Sequence, residues 1–328
     1  MKKIIYVFLF LPFLSFGQFA PAAGQNGSTA IYKDSSAFKA WAKACKLNRG
    51  FMNIANTSAG LANIGDVNAA LGKAGATGVV SLGDGGSAIL SFENPIANGA
   101  GFDFAVFENG FKESGGSFDF LEYAFVEVSS DGIHFFRFPS EYRGGASIQI
   151  KSFEPTDTRL YHNFAGKYTA GYGTPFNLEE LKDLVGLDVN AITHVKIVDV
   201  VGTIDPLYAS YDSKGNIVNE TYPTEFGSSG FDLDAVGVIN VAEPNGLFAA
   251  DAKNSFSIYP NPSKDFIQIQ NNGNNASVLE ISTIQGETLK IVGTTNVERI
   301  SISELKSGVY LVHLVTTTAR FTQKLIVE

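Results

Sequence analysis

In the stretch FDLDAVGVINV, residues 231–241, Asp232 and Asp234 stand two apart in an otherwise apolar run. Alternate residues of a strand project to one face, so two carboxylates at this spacing are neighbours that need either water or a shared cation. GFDFAVFENGF has the same character: Asp103 and Glu108 flank an apolar strand pattern, and Asn109 adds a neutral oxygen. Calcium takes about six to eight oxygens from carboxylates, amides and carbonyls, which makes Asp103, Glu108, Asp232 and Asp234 its expected ligands. The alternative is ordinary: exposed strand ends, or acceptors for loop amides.

A second group lies in RLYHNFAGKYTAGYGTPF, a long segment rich in aromatics and glycine. Loops on a rigid scaffold concentrate binding residues, and Tyr161, His162, Lys167, Tyr168 and Tyr172 are the candidates for a platform under a sugar ring or flat ligand. The competing expectation is that these aromatics cover a sheet edge. His134, His162, His194 and His313 show no zinc-ligand spacing, and no Ser-His-Asp order emerges. SLGDGGS lacks the Lys-Ser/Thr of a phosphate loop and precedes a strand, so it reads as a tight turn.

The elements that must carry these residues are mostly strands. From Val79 onward the apolar pattern has period two, in VVSLGDGGSAILSFENPI, GFDFAVFENGF, LEYAFVEVSSDGIHFFRFP and ITHVKIVDVVGTI. SSDG, residues 129–132, and the stretch around Ser213, Lys214 and Gly215 predict hairpin turns. Three helical segments are expected: residues 35–47, with Phe38, Trp41, Ala42 and Cys45 on one stripe; residues 66–71; and NLEELKDLVG, with Asn177 and Glu180 at capping-box spacing and Gly186 as the stop. Cys45 is expected to be a buried structural residue.

Residues 1–17 have the basic start, apolar run and small residues of a secretory signal peptide. Its loss takes the 24 basic residues to 22 against 33 acidic, a net charge near −11 that argues against nucleic acid and anionic membranes as partners. One cysteine forms no internal disulfide, so stability comes from packing or metal. Residues 18–241 read as an all-β domain, a jelly-roll-type β-sandwich with small helical decorations. Residues 242–253 read as a linker, and residues 254–328 as seven short strands of an immunoglobulin-like sandwich.

YPNPSKDFIQI, IQGETLK, ISELKSGVYLVHL and FTQKLIVE, with Pro260-Asn261-Pro262, Gly286, Leu305, Gly308, Tyr310 and Lys324 in order, resemble the type A C-terminal sorting domain of the Bacteroidetes type IX secretion system. The resemblance implies export across the outer membrane by that machinery, with removal of the domain and release or surface attachment of the cargo. GFDFAVFENGF, AFVEVSSDGIHFFRFP and GFDLDAVGV are similar to a family of secreted and cell-surface proteins whose architectural analogy is the galactose-binding-like jelly roll. That fold class commonly carries a structural calcium. Together these readings predict a secreted or surface-displayed binding protein that captures an extracellular glycan or a small nutrient such as a corrinoid, and hands it to an outer-membrane TonB-dependent transporter. The rival expectations are an extracellular glycan hydrolase using Glu108 and Asp234, and a structural adhesin without a pocket.

Overall fold

The computed structural model describes residues 18–112, 118–242, 256–271, 277–284, 287–294, 297–315 and 320–328. The chain divides into two compact units, Met1–Ala242 and Glu243–Glu328. The signal-peptide residues, nearly all of the expected linker, and Gly286 lie outside the described residues.

The first unit is built on two antiparallel sheets. One runs in the order β1 (Ile31–Tyr32), β13 (Tyr172–Phe176), β6 (Phe104–Glu108), β15 (Asp232–Val238) and β2 (Ala40–Trp41), with β4 (Val80–Ser81) also paired to β15. The other runs β10 (Phe136–Arg137), β9 (Ala124–Ser129), β14 (Ile192–Asp199), β5 (Ser87–Ile96) and β3 (Ala44–Asn48). The longer strands β5, β6, β9, β13, β14 and β15 alternate between the two sheets, the crossing pattern of a jelly roll. Two small ribbons decorate the sandwich, β7 (Phe111–Lys112) with β8 (Asp119–Phe120) and β11 (Glu141–Tyr142) with β12 (Tyr161–His162).

The period-two pattern accounts for the layers. Phe104 and Val106 of β6, Leu233, Val236 and Val238 of β15, Val126 and Val128 of β9, and Val195 and Ile197 of β14 fill the space between the sheets. The other face of β6 is apolar because it too is covered: Ala105 and Phe107 pack with Ala74, Ala235, Phe38 and Trp41. Beyond β9, Tyr123 and Phe125 form an outer cluster with Tyr142, Tyr161 and Phe164.

Residues 35–47 are not a helix. Ala40–Trp41 pairs with Gly237 and Val238 at the edge of one sheet, and Ala44–Asn48 pairs with β5 at the edge of the other. Helix propensity is a weak prior, and two open sheet edges overrule it here. The expected stripe survives as partly buried residues: Phe38 and Trp41 lie against Phe107, and Cys45 packs on the inter-sheet core. Burial pushes the Cys45 thiol up to about 11, in keeping with a structural role. The other two helical segments are single 3₁₀ turns, Val67–Ala70 and Leu178–Leu181. Asp66 and Asn177 cap them, the second as expected, but Glu180 bonds Asn163 at 2.6 Å, so no capping box closes.

Among its described residues the second unit is a sandwich of seven strands. One sheet is β16 (Phe256–Tyr259), β17 (Phe266–Asn271) and β20 (Val297–Ser301); the other is β19 (Thr288–Thr294), β18 (Ser277–Thr283), β21 (Gly308–Val315) and β22 (Arg320–Val327). Ile267, Ile269, Leu279, Ile281, Val312, Leu314 and Leu325 form its core. Asn261 explains part of the Pro-Asn-Pro motif: its amide donates to the Lys324 carbonyl at 2.7 Å and accepts from the Ile326 N–H at 2.8 Å, tying the motif to β22.

Candidate functional site

Strand directions bring six acids to one end of the first sandwich. Glu108 closes β6 and Asp199 closes β14; Asp232 opens β15; Glu122 precedes β9; Asp84 sits on the turn before β5; Glu220 lies on the loop before β15. All six are buried, none more than 6% exposed, and none enters an ion pair among the described residues.

Four of the six are held by well-formed bonds. Asp199 accepts from the Gly85 N–H at 3.0 Å and the Phe231 N–H at 2.8 Å, Asp84 from the Ile54 N–H at 2.9 Å, and Glu220 from the Tyr123 N–H at 2.8 Å. Asp232 accepts from the Ser81 hydroxyl and from Asn109 Nδ2, the latter at 3.1 Å. The remaining two are under-satisfied. Glu108 Oε2 accepts from the Gly110 N–H at 2.7 Å, but its Oε1 is buried without a partner, and Glu122 has no hydrogen bond to its carboxylate among the described residues. Burial pushes Asp84 and Asp232 up to about 6. It holds Glu108, Glu122, Asp199 and Glu220 well above the usual carboxylate range, and repulsion among the acids adds to it.

In addition to this acidic floor, phenylalanines from β7, β8 and two loops form a line. Phe111 stacks on Phe120 with centroids 4.8 Å apart, Phe120 meets Phe153 at 5.7 Å, and Phe153 stacks on Phe226 at 5.4 Å. Phe153 is 61% exposed and sits at φ 64°, a left-handed conformation that a bulky residue pays strain to adopt. The β7–β8 ribbon borders a polar cleft of about 550 Å³, walled by Lys112, Phe118, Asp119, Thr156, Asp157 and Arg159. Arg159 is fixed there by Asp157, its Nη2 donating to Oδ2 at 2.7 Å.

The expected metal set is only partly assembled. Glu108 and Asp232 share the acidic floor. Asp103 stands at the opposite end of β6, about 16 Å away along the strand, because the antiparallel register sets Glu108 beside Leu233 and Phe104 beside Val238. There it caps turns, accepting from the Gly99 and Leu178 N–H groups and from Asn240 Nδ2. A register shift between Leu233 and Ala235 marks a bulge at Asp234, whose two oxygens both accept from the Gly75 N–H at 2.9 Å. The pair at 232 and 234 is therefore divided between different hydrogen-bond donors.

The aromatic platform does not assemble either. Tyr161 is buried, stacked 3.7 Å from Tyr123, with its hydroxyl donating to the Asn219 carbonyl at 2.6 Å. Tyr168 is buried with its hydroxyl 2.8 Å from that of Thr29, and Lys167 is buried with its Nζ reaching the Ala20 carbonyl at 3.4 Å. His162 is covered by a stacked Phe19, and Tyr172 leans on Tyr32. Residues 19–32 close over the loop and use its aromatics as core.

Asp84, Glu122, Asp199 and Glu220, and the phenylalanine line, went unread in the sequence. Asp199 in HVKIVDVV and Glu122 in DFLEYAF carry a signal close to that of Asp232, an acid within an apolar run. Among the described residues no three His, Cys, Asp or Glu side chains stand in ready coordinating geometry.

Residues 257–328 match the family model described as the secretion system C-terminal sorting domain. No curated protein compared with the chain matches it. Solved structures that the chain matches include a biofilm-associated protein BSP domain, at 10% identity and TM-score 0.20 over 90% of this chain and 52% of that one. A β-glucuronidase from Ruminococcus gnavus in complex with C6-substituted uronic isofagomine gives 8% identity and TM-score 0.25, over 90% of this chain and 47% of that one. The chain spans about half the length of these structures, and scores this low assign no activity.

Proposed function

We propose, for a chain whose residues 257–328 are a type IX sorting domain and which is therefore exported to the cell surface or beyond, that the first unit is a binding module for an extracellular glycan or hydroxyl-rich nutrient. The supporting observation is the cleft beside the β7–β8 ribbon. Its walls offer donors in Lys112 and Arg159, acceptors in Asp119 and Asp157, and the 40% exposed ring of Phe118. A sugar needs both kinds of hydrogen-bonding partner for its hydroxyls and an apolar surface for its C–H face, and a concave site with a few fixed polar groups supplies them. Glu108 and Asp234, the pair considered for a hydrolase, are not on these walls.

The test is a glycan array and a set of small nutrients probed with the full mature chain, followed by titration of any hit. Asp157→Ala removes an acceptor and frees Arg159, and should weaken a true ligand by about tenfold or more, the scale of one or two hydrogen bonds to charged groups. An empty array, or a hit whose affinity Asp157→Ala leaves unchanged, overturns the assignment of this cleft.

A further inference from the structure

We infer that the acidic floor of the first sandwich is a divalent-cation site of calcium type, with Glu108, Glu122 and Asp232 as its inner ligands. The inference is independent of what the neighbouring cleft binds. Two observations beyond the clustering of acids carry it. Glu108 is 1% exposed and its Oε1 has no hydrogen-bond partner. Glu122 is 5% exposed and its carboxylate has none either among the described residues. Both are aimed inward: the charges Glu108 feels most are those of Asp232 and then Asp234, and those Glu122 feels most are Asp232, Glu108, Glu220 and Asp199, every one an acid.

A buried acceptor without a donor, as Glu108 Oε1 is, costs free energy, and both Glu108 and Glu122 face other carboxylates, which adds repulsion. Hydrogen bonds do not relieve them, since the nearby N–H groups of Gly85, Tyr123 and Phe231 are already donated to Asp199 and Glu220. A hard divalent ion relieves both, because oxygen-only ligation by several carboxylates is what calcium selects, and Asn109 beside Asp232 offers a neutral oxygen. The six acids come from separate strand ends and loops, so an ion between them would join both sheets at one end. Glu108 and Glu122, held by fewest bonds, are the side chains free to close on it. Asp103 and Asp234 take no part.

The experiment uses the full mature chain. Metal content is measured on protein purified without chelator, and thermal unfolding is followed near neutral pH in EDTA, calcium or magnesium. Calcium in hundredfold excess over its Kd should raise the Tm by about 5 °C or more over the EDTA value. Glu122→Gln should remove most of that response. Asp103→Asn, at the other end of the sheet, should keep it. If Glu122→Gln fails to fold, the wild-type comparison and the metal content still decide. A wild-type Tm indifferent to calcium, magnesium and EDTA, with no metal in the purified protein, overturns the site and leaves an acid cluster satisfied by protons. So does a calcium response that survives in Glu122→Gln.

Discussion

Lys167 shows how far a single residue can depart from its apparent role. In the sequence it sits in a glycine-rich aromatic loop and reads as a ligand contact; in the structure it is 4% exposed under residues 19–32. Burial brings its ammonium down to about 8. The sign follows from proton counting. Between about pH 8 and the ordinary lysine value near 10.4 the unfolded chain holds a proton there that the folded chain has lost, so this residue's penalty is full below pH 8 and fades as pH rises. Lys167→Met should therefore be more stable than wild type at pH 7, with the advantage shrinking between pH 8 and 10. Parallel denaturation curves across that range check it; a gap independent of pH would mean that the residue acts through packing alone. Tyr161 and Tyr168 belong to the same correction. Both were legible as important aromatics, but whether a tyrosine faces a ligand or a second layer of protein depends on partners far along the chain, Tyr123 and Asn219 for Tyr161 and Thr29 for Tyr168, which local sequence does not report.

At the scale of elements, the strands and their alternation were readable because period two is enforced by burial on each face. The helical stripe at 35–47 was misread for an equally physical reason. Its apolar residues suit a helix in isolation, but Gly237 of β15 leaves room for them on the sheet: a Cβ at that position would lie 2.7 Å from the Phe38 ring and 2.9 Å from the Trp41 ring. Gly237→Ala should push both rings off the outer face of β6 and cost about 1–3 kcal/mol, the usual penalty of overpacking. Trp41 is the only tryptophan in the chain, so its emission should shift to the red as it becomes wetter. Unchanged emission and stability would show that β2 is not seated by this contact. The acidic floor was half legible. Glu108 and Asp232 stood out, but Asp84 and Glu220 lie in turn sequences where an acid is unremarkable, and only the antiparallel register carries them to the same end as Asp199 and Glu122. The same register removes Asp103.

For the whole molecule, the two units divide the work: one carries the cleft and the acids, the other the address. Deleting residues 254–328 should leave the first unit's fold intact and confine it to the periplasm, seen by fractionation and surface proteolysis; arrival at the surface without those residues would refute the address. Asn261 sharpens this. It lies 63 positions before Lys324 in sequence, yet holds that residue's carbonyl and the Ile326 N–H directly. A signal joined in this way is not a string of letters that an unfolded chain could display. These contacts come into being only when the last domain has closed on itself, so the junction is itself a mark of completed folding.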